Sequence, residues 1–324
     1  MALNPLSDAH AAQILAGVAG RLQGHKFEEQ LTGLVNLIGK ESFQPSGMNG
    51  HHYDGNPAVG LLNFLLARER EDVGVSARAE WLGGLGTGGT GSRRSEILNI
   101  EVKKSKSDIV VELNIDGRVQ VFGISVKTCS KKSSTNAQIY FTTATAFCDR
   151  LENAGVDVPL GARNALRKFC GDHGFRPSDL GDGHSVTRSD RYFWEEIPDY
   201  ETDWWERFLT ENHYLVLDTL LRLGYDDDPL PPTVVLHQRS KPESFEQVPI
   251  AVYWIEDLIS RSIAVSGFCT KPYRVYKGTG RDPTKEHQAP RFGVVQFQRG
   301  GQKQHPTQLQ FNLESGYFNK ENFL

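Results

Sequence analysis

The chain contains no apolar run that approaches the ~20 residues needed by a membrane-spanning helix. Its first residues, MALNPLSDAHAAQ, lack the basic start and long apolar stretch of a signal peptide. Cysteine is scarce, and Cys129, Cys148, Cys170 and Cys269 include no C-x-x-C pair. This spacing indicates neither a zinc site nor a disulfide framework. We therefore expect a soluble protein of the reducing cytoplasm that does not enter a membrane.

A phosphate-binding P-loop is also missing. The glycine-rich stretch from Gly83 to Gly91, GGLGTGGTG, has no Gly-Lys-Ser/Thr ending, so it predicts a flexible connection rather than a nucleotide cradle. Histidines are present at His51, His52 and between residues 172 and 184, but no second histidine or asparagine follows at helical spacing. A histidine-metal site is therefore a minor alternative.

Length and composition favour a globular α/β protein. The 324 residues, 38% hydrophobic and 10% aromatic, can bury one large core or two modest ones. We expect a mixed central β-sheet flanked by helices. Residues 1–160 would form the core with N-terminal helices, and residues 161–324 would add a helical insertion and C-terminal strands in one compact unit with that core. The segments TVVLH and IAVYWI predict two of the later strands.

The most informative segment is SDIVVELNIDGRVQVFGISVKT, from Ser107 to Thr128. The Asp-Gly pair at positions 116 and 117 suits a two-residue hairpin turn, and the apolar runs on both sides suit strands. With that turn, Asp108 lies opposite Ser125, and Lys127 points to the same face two residues on. A carboxylate and an ammonium group would therefore meet at one end of the hairpin.

This pair suits phosphodiester hydrolysis. An anionic phosphate repels hydroxide, so cleavage calls for a divalent cation held by carboxylates and for a cationic side chain near the developing charge. Asp108 and Lys127 can fill these roles. The alternative is an ordinary ion pair at an exposed strand end.

Lysines surround the same end of the hairpin although the chain carries a formal net charge of −4. They are Lys103, Lys104, Lys106, Lys127, Lys131 and Lys132. A local cationic rim on a negative protein favours a bound polyanion, and we expect Lys106, Lys131 and Lys132 to contact it. The alternative is a solvated run of surface charge.

These residues resemble the active-site motif of the PD-(D/E)xK nucleases, and within them of type II restriction endonucleases. The motif consists of an acid, a hairpin spacer and then acid-x-Lys, which here corresponds to Asp108 and to Ser125-Val126-Lys127. Ser107 replaces the usual proline, and Ser125 replaces the usual second acid. Some members of the class carry Ser-x-Lys and take a carboxylate from elsewhere in the fold.

The same resemblance implies where that carboxylate comes from. The segment from Gly24 to Ile38 predicts an amphipathic helix, and it is similar to the first core helix of many of these nucleases, where Gly-x-x-x-Glu brings a glutamate to the metal. Glu28 matches that glutamate, with Glu29 as the fallback and Glu152 and Gln138 as lesser candidates. The alternative is that glutamates near a helix start serve the helix dipole.

A third similarity lies near the C-terminus. The stretch from Arg291 to Leu313 predicts two strands around a polar turn, and Gln298-Arg299-Gly300-Gly301 is similar to a QR-x-G-G segment in a set of type II restriction endonucleases, although one residue shorter. Glutamine and arginine pair with adenine and guanine edges, and lysine suits a phosphate. The residues assigned to DNA binding here are Gln298, Arg299, Gln302 and Lys303. The alternative is a hairpin with a polar tip.

Together the resemblances imply a restriction-endonuclease-like core and Mg²⁺-dependent, sequence-specific cleavage of double-stranded DNA. Asp108 and Glu28 would hold the metal, and Ser125 and Lys127 would complete the catalytic set. They also imply a homodimer on a two-fold DNA site and a protective methyltransferase in the host. Two other functions stay open, a DNA-binding protein without catalysis and a structure-selective repair or recombination nuclease.

Overall fold

A computed structural model describes residues 8–40, 43, 50–67, 75–83, 91–182, 186–223, 227–274, 284–299 and 307–318. The chain divides into two compact units. The six-stranded unit comprises Leu15–Ala137, Asp218–Ile259 and Glu314–Leu324, and the five-stranded unit comprises Met1–Ile14, Gln138–Leu217 and Ser260–Leu313. Each unit thus takes residues from both sides of position 160.

The strands of the described residues follow in chain order. They are β1 (His52–Gly55), β2 (Val75–Trp81), β3 (Arg93–Ser95), β4 (Ile100–Val102), β5 (Ile109–Ile115), β6 (Arg118–Lys127), β7 (Ala137–Thr143), β8 (Val234–Gln238), β9 (Val248–Trp254), β10 (Phe268–Arg274), β11 (Glu286–Phe292), β12 (Val295–Arg299) and β13 (Gln308–Leu313).

The helices accompany them. They are α1 (Asp8–Ile38), α2 (Pro57–Leu66), α3 (Ala144–Asn153), α4 (Leu160–Cys170), α5 (Pro177–Leu180), α6 (Asp199–Glu211), α7 (His213–Leu221), α8 (Ile255–Val265) and α9 (Ser315–Phe318), with one 3₁₀ turn at Trp194–Glu196.

The hairpin of β5 and β6 forms with the expected register. Ile115 pairs with Arg118 and Ile109 pairs with Ile124 in an antiparallel ladder. Asp116 and Gly117 form the two-residue turn, both with positive φ angles, 49° and 86°. Positive φ at both central residues is the requirement of a type I′ turn, whose twist matches that of paired strands. The hairpin prediction is confirmed.

The six-stranded sheet has the order β1-β9-β8-β6-β5-β2. Strand β8 runs parallel to β6, with Ser125 beside Val235 and Lys127 beside His237. The other neighbouring pairs in the sheet are antiparallel. The sheet is therefore mixed, and the protein is α/β as expected. TVVLH and IAVYWI contribute β8 and β9, as predicted.

The core of this unit lies between the sheet and helices α1 and α2. On α1, Phe27, Leu31 and Val35 are buried at helical spacing, as the amphipathic pattern predicts. Leu37 is 65% exposed, whereas the neighbouring Ile38 packs against the core. Helix α1 is thereby fixed against the strands that carry Asp108 and Lys127.

Strand β2 is an edge strand, and several of its outer backbone groups are already hydrogen-bonded. The Asn36 side chain accepts from Ala79 N at 2.7 Å and donates to Ala79 O at 3.0 Å. Ala77 N donates to Gly39 O, and Val75 O accepts from Phe43 N. The end of α1 and the residues after it therefore cover this edge.

The five-stranded unit has a sheet of order β10-β11-β12-β13-β7. Phe147, Trp205, Phe297 and Phe311 pack in its core, and the Trp205 indole donates to Ala162 O at 2.7 Å. The two strands predicted near the C-terminus are present as β12 and β13. The connecting turn, with Gln302 and Lys303, lies outside the described residues.

The cysteines and the helices bear on the expectations about disulfides and membrane spans. All four cysteines are free, and three of them are buried. Across the described ranges, no helix has both the length and the apolar character required to span a bilayer.

We predict opposite effects of one substitution at two glycines of the six-stranded unit. Gly117→Ala should lower the free energy of unfolding by about 1 kcal/mol because its φ is positive, although an added Cβ would meet nothing within 4 Å. Gly33→Ala, inside α1 and equally unobstructed, should raise it by roughly 0.5–1 kcal/mol. Urea unfolding measures both. Equal free energies of unfolding for Gly117→Ala and Gly33→Ala would show that the positive φ at position 117 does not affect the stability of the hairpin.

Candidate active site

Asp108 stands directly before β5, and its main chain is fixed on both sides. Its N–H donates to Ile124 O at 2.9 Å, and its carbonyl accepts from Leu82 N at 2.9 Å. The side chain is held as well, since Val126 N donates to Asp108 Oδ2 at 2.6 Å. Strands β2, β5 and β6 thus all fix the position of this carboxylate.

Lys127 and Ser125 lie beside Asp108. Lys127 Nζ is 3.8 Å from Asp108 Oδ2, with side chains 20% and 28% exposed. Ser125 Oγ donates to the same oxygen over 3.4 Å and is buried. A charged pair that keeps this much exposure is within reach of water and of a ligand. The catalytic roles of these residues stay predictions.

Glu28 is brought to the same place by α1. It is only 7% exposed, and the Trp81 indole N–H donates to its Oε2 at 2.8 Å. Burial, and secondly the negative charge of Asp108, raise the pKa of Glu28 to about 7, although the Trp81 hydrogen bond and the charge of Lys127 act in the opposite direction. Two carboxylates and one ammonium group therefore interact within the six-stranded unit.

The donor set is compatible with a hard divalent cation. Carboxylate oxygens are what Mg²⁺ prefers. A cation held by Asp108 and Glu28 would relieve the repulsion by Asp108 that adds to burial in raising the Glu28 pKa. Among the described residues, no group of three or more His, Cys, Asp and Glu side chains is arranged to hold a metal. Two protein carboxylates still fit Mg²⁺, which usually keeps several water ligands.

The other candidates for the missing acid occupy different positions. Glu29 is adjacent to Glu28 but exposed. Glu152, on α3 of the five-stranded unit, forms an ion pair with Arg163 at 2.5 Å, and Gln138 is exposed on β7. Glu28 interacts electrostatically with Asp108, and this interaction adds to burial in raising the Glu28 pKa.

The lysines that flank the hairpin in the sequence are mostly exposed. Lys103, Lys104, Lys131 and Lys132 have exposed side chains, and Lys106 is half-buried. The backbone around Lys106 is fixed by Asp228, whose Oδ2 accepts from Lys106 N at 2.6 Å. Positive side chains are therefore exposed on both sides of the hairpin in the sequence, and their contact with DNA stays a prediction.

The residues assigned to base readout lie in the five-stranded unit. Gln298 Nε2 donates to Gln296 Oε1 at 2.8 Å. The Arg299 guanidinium lies 4.3 Å from the centre of the Phe193 ring and donates to Tyr192 O. Burial, and secondly the charge of Arg191, lower the pKa of Arg299 to about 10. Arg299 is thus engaged inside its own unit, and base readout by Gln298 and Arg299 stays a prediction.

His51 directly precedes strand β1, and His52 is its first residue. Strand β1 lies at the opposite edge of the six-stranded sheet from β2. The His51 ring stacks on Tyr253 with centroids 4.3 Å apart, and its Nδ1 lies 2.9 Å from Val252 O. This packing of His51 gives the histidine alternative no support.

Sequence reasoning missed Trp81 and Arg93. Trp81 is the last residue of β2, and its ring contacts the His25 ring at 5.7 Å and the Arg93 guanidinium at 5.3 Å. The only signal for Arg93 is the Arg-Arg pair before Ser95. Nothing in the sequence pairs Trp81 with Glu28, because 53 positions separate them.

Comparison of the chain with protein-family models and with curated proteins finds no match to either. The geometry of Asp108, Ser125, Lys127 and Glu28 therefore carries the functional argument.

The raised pKa of Glu28 predicts a pH dependence of stability. Between about pH 4.5 and pH 7 the folded chain holds this proton more firmly than the unfolded chain, so the free energy of unfolding should fall as pH rises through that window. Glu28→Gln removes this contribution. Relative to the variant, wild type should lose on the order of 2 kcal/mol between pH 4.5 and pH 7.5.

Urea unfolding in a chelator at half-unit pH steps measures this difference. Glu29→Gln, at a neighbouring exposed carboxyl that is the last of the causes raising the Glu28 pKa, is the matched control and should keep most of the wild-type pH dependence. If the free energies of unfolding of wild type and Glu28→Gln depend on pH in the same way, ionisation of Glu28 does not destabilise the folded protein.

Proposed function

We propose that this protein cleaves double-stranded DNA at a specific sequence in a Mg²⁺-dependent reaction, as a type II restriction endonuclease of the PD-(D/E)xK kind. The observation that carries the proposal is the group of Asp108, Lys127 and Glu28. The first two are 3.8 Å apart at one hairpin end, and the third is a buried carboxylate that interacts electrostatically with Asp108.

The fold supports this proposal. A mixed sheet with helices is the architecture that the motif implies, and helix α1 carries Glu28 within hydrogen-bonding distance of Trp81 at the end of β2. Ser125 occupies the position of the usual second acid but cannot supply its charge. Glu28 would restore the count of two carboxylates.

Each residue would have a separate task. Asp108 and Glu28 would hold Mg²⁺, which supplies positive charge to phosphate oxygens and lowers the pKa of bound water. The Lys127 ammonium would donate to a phosphate oxygen or orient the attacking water, and its charge would stabilise the negative charge that develops in the transition state. The hydrogen bond from Val126 N–H orients the Asp108 carboxylate before any substrate binds.

Substrate contacts would come from exposed cations. Lys103, Lys104, Lys131 and Lys132 present positive charge on a chain of net charge −4, which favours a polyanion at this part of the surface. Gln298, Arg299, Gln302 and Lys303 remain the proposed readers of sequence and phosphate, with Lys106 as a further backbone contact. A homodimer would place one site on each DNA strand, and a methyltransferase would protect the host DNA.

A serine at position 125, where the family usually has an acid, favours one alternative, a DNA-binding protein that has the fold without the activity. Incubation of pure protein with phage DNA and Mg²⁺ distinguishes the possibilities. Discrete fragments support the proposal, whereas binding without cleavage supports the alternative. Cuts confined to branched DNA would instead indicate a structure-selective repair or recombination nuclease.

Changes at Asp108 and Lys127 should abolish cleavage without unfolding the protein. Asp108→Asn and Lys127→Ala should each slow cleavage by several orders of magnitude while DNA binding persists, because both side chains act on the reaction and neither belongs to the apolar core. Single-turnover cleavage and gel-shift assays measure the two effects.

Asp149→Asn is the matched control for these variants, since it removes an exposed carboxylate of the five-stranded unit that pairs with Arg163. Its cleavage rate should equal that of wild type. A rate within tenfold of wild type for Asp108→Asn or Lys127→Ala would refute the site assignment.

Ser125 and Glu28 should differ in importance. Ser125→Ala should retain most activity because a hydroxyl 3.4 Å from Asp108 adds little to a cation site, whereas Glu28→Gln should lose most of it. The double variant Ser125→Glu/Glu28→Gln should recover part of the loss, because it moves the carboxylate across the same site. Wild-type cleavage by Glu28→Gln would direct the search to Glu29 or Glu152.

A further inference from the structure

Trp81 links the two carboxylate-bearing parts of the site. Its backbone pairs with Ile109 at the end of the β2–β5 ladder, and the next residue, Leu82, donates its N–H to Asp108 O at 2.9 Å. Its side chain reaches the other carboxylate, with the indole N–H 2.8 Å from Glu28 Oε2. One residue therefore fixes the spacing between helix α1 and the start of β5.

The indole is itself held in position. The His25 ring contacts it edge-on at 5.7 Å, and the exposed Arg93 guanidinium lies 5.3 Å over it and donates to Trp81 O. A cation over an indole face is favourable and limits rotation of the ring. The indole N–H is a donor only, so its direction selects an acceptor, and that acceptor is Glu28.

Gly83 shows how little space surrounds the hydrogen bond. A Cβ at this position would lie 2.0 Å from Trp81 Nε1 and 2.4 Å from Glu28 Oε2. A methyl group there must displace the indole, the carboxylate or both. The absence of a side chain at Gly83 therefore permits the Trp81–Glu28 contact.

We propose that Trp81 is a positioning residue that orients the Glu28 carboxylate for a divalent cation, and that Gly83 is required for this orientation. The inference rests on the proposed function. The indole bonds to one carboxylate oxygen and restricts the rotation of a long side chain, so less conformational freedom is lost when a cation binds. Hydrogen bonds to ligating carboxylates from neighbouring groups typically change metal affinity 10–100-fold.

Trp81→Phe tests this role, since it keeps an aromatic ring and removes the donor. In calorimetric titration with Mn²⁺ or Mg²⁺ alone, its cation dissociation constant should rise about 10–100-fold over wild type. Affinity for a DNA duplex in chelator should stay unchanged, and saturating Mg²⁺ should recover most of the cleavage rate. Trp254→Phe, the same change in strand β9 against Phe64 and Phe122, is the matched control and should bind the cation like wild type.

Gly83→Ala is an independent test, because it leaves Trp81 in the chain and the atoms nearest to its added Cβ belong to Trp81 and Glu28. Its cation affinity should fall as in Trp81→Phe. Fluorescence adds a direct signature: the emission that distinguishes wild type from Trp81→Phe should change on addition of Mg²⁺, and it should not change in Glu28→Gln. A merely structural tryptophan would alter the unfolding midpoint and leave the cation affinity as it is.

The outcomes separate this inference from the proposed function. If wild type binds the cation, Glu28→Gln does not, and Trp81→Phe and Gly83→Ala bind it with wild-type affinity, the positioning role is overturned and the nuclease proposal stands. If wild type binds no cation with or without DNA, both are overturned. A selective loss in Trp81→Phe and Gly83→Ala, with Trp254→Phe unaffected, supports the positioning role.

Discussion

The register of β5 against β6 determines the geometry of the site. A two-residue turn at Asp116 and Gly117 fixes it, and the pairing then continues without interruption to Ile109 and Ile124. Because side chains alternate along a strand, a slip by one residue would turn Lys127 away from Asp108 and expose the buried face of β5. Burial of Val111, Leu113 and Ile124 therefore protects the alignment of the charged groups as well as the core.

The second feature is a conflict between stability and charge. Two carboxylates are brought together at the end of a buried sheet, and one of them lies almost entirely out of water. Such an arrangement works against folding, and the Trp81 hydrogen bond and the charge of Lys127 offset only part of the cost. Places where a protein keeps an unfavourable local arrangement are often those where a ligand later compensates for it.

Local rules explain what the sequence could predict. The Asp-Gly turn and its flanking apolar runs are short-range signals, so the hairpin and the proximity of Asp108 to Lys127 follow from counting residues. The helical spacing of Phe27, Leu31 and Val35 gives the buried face of α1 in the same way. Glu28 could be suggested only through resemblance, since its position depends on how α1 packs on the sheet.

Features that depend on long-range packing could not be predicted. Trp81 and Glu28 meet because an edge strand and a helix converge. The spacing of apolar residues in the sequence does not predict this contact. The resemblance and the residue type assign Arg299 to base readout, yet its guanidinium packs on the Phe193 ring within the five-stranded unit. Composition also does not predict that both halves of the chain contribute to each unit. Strands β8 and β9 come late in the sequence, yet they join the sheet that contains β1, β2, β5 and β6.

The coverage of strand β2 by Asn36 has a consequence for assembly. An uncovered edge strand invites the same strand of another copy to continue the sheet, which is a common route to dimers and to aggregates. Here Ala79 already makes both of its outer hydrogen bonds to one asparagine side chain, and Ala77 N–H is bonded to Gly39. A second chain could extend the sheet across these residues only by displacing the end of α1, the helix that carries Glu28. Association of two copies must therefore use another surface if the site is to remain intact.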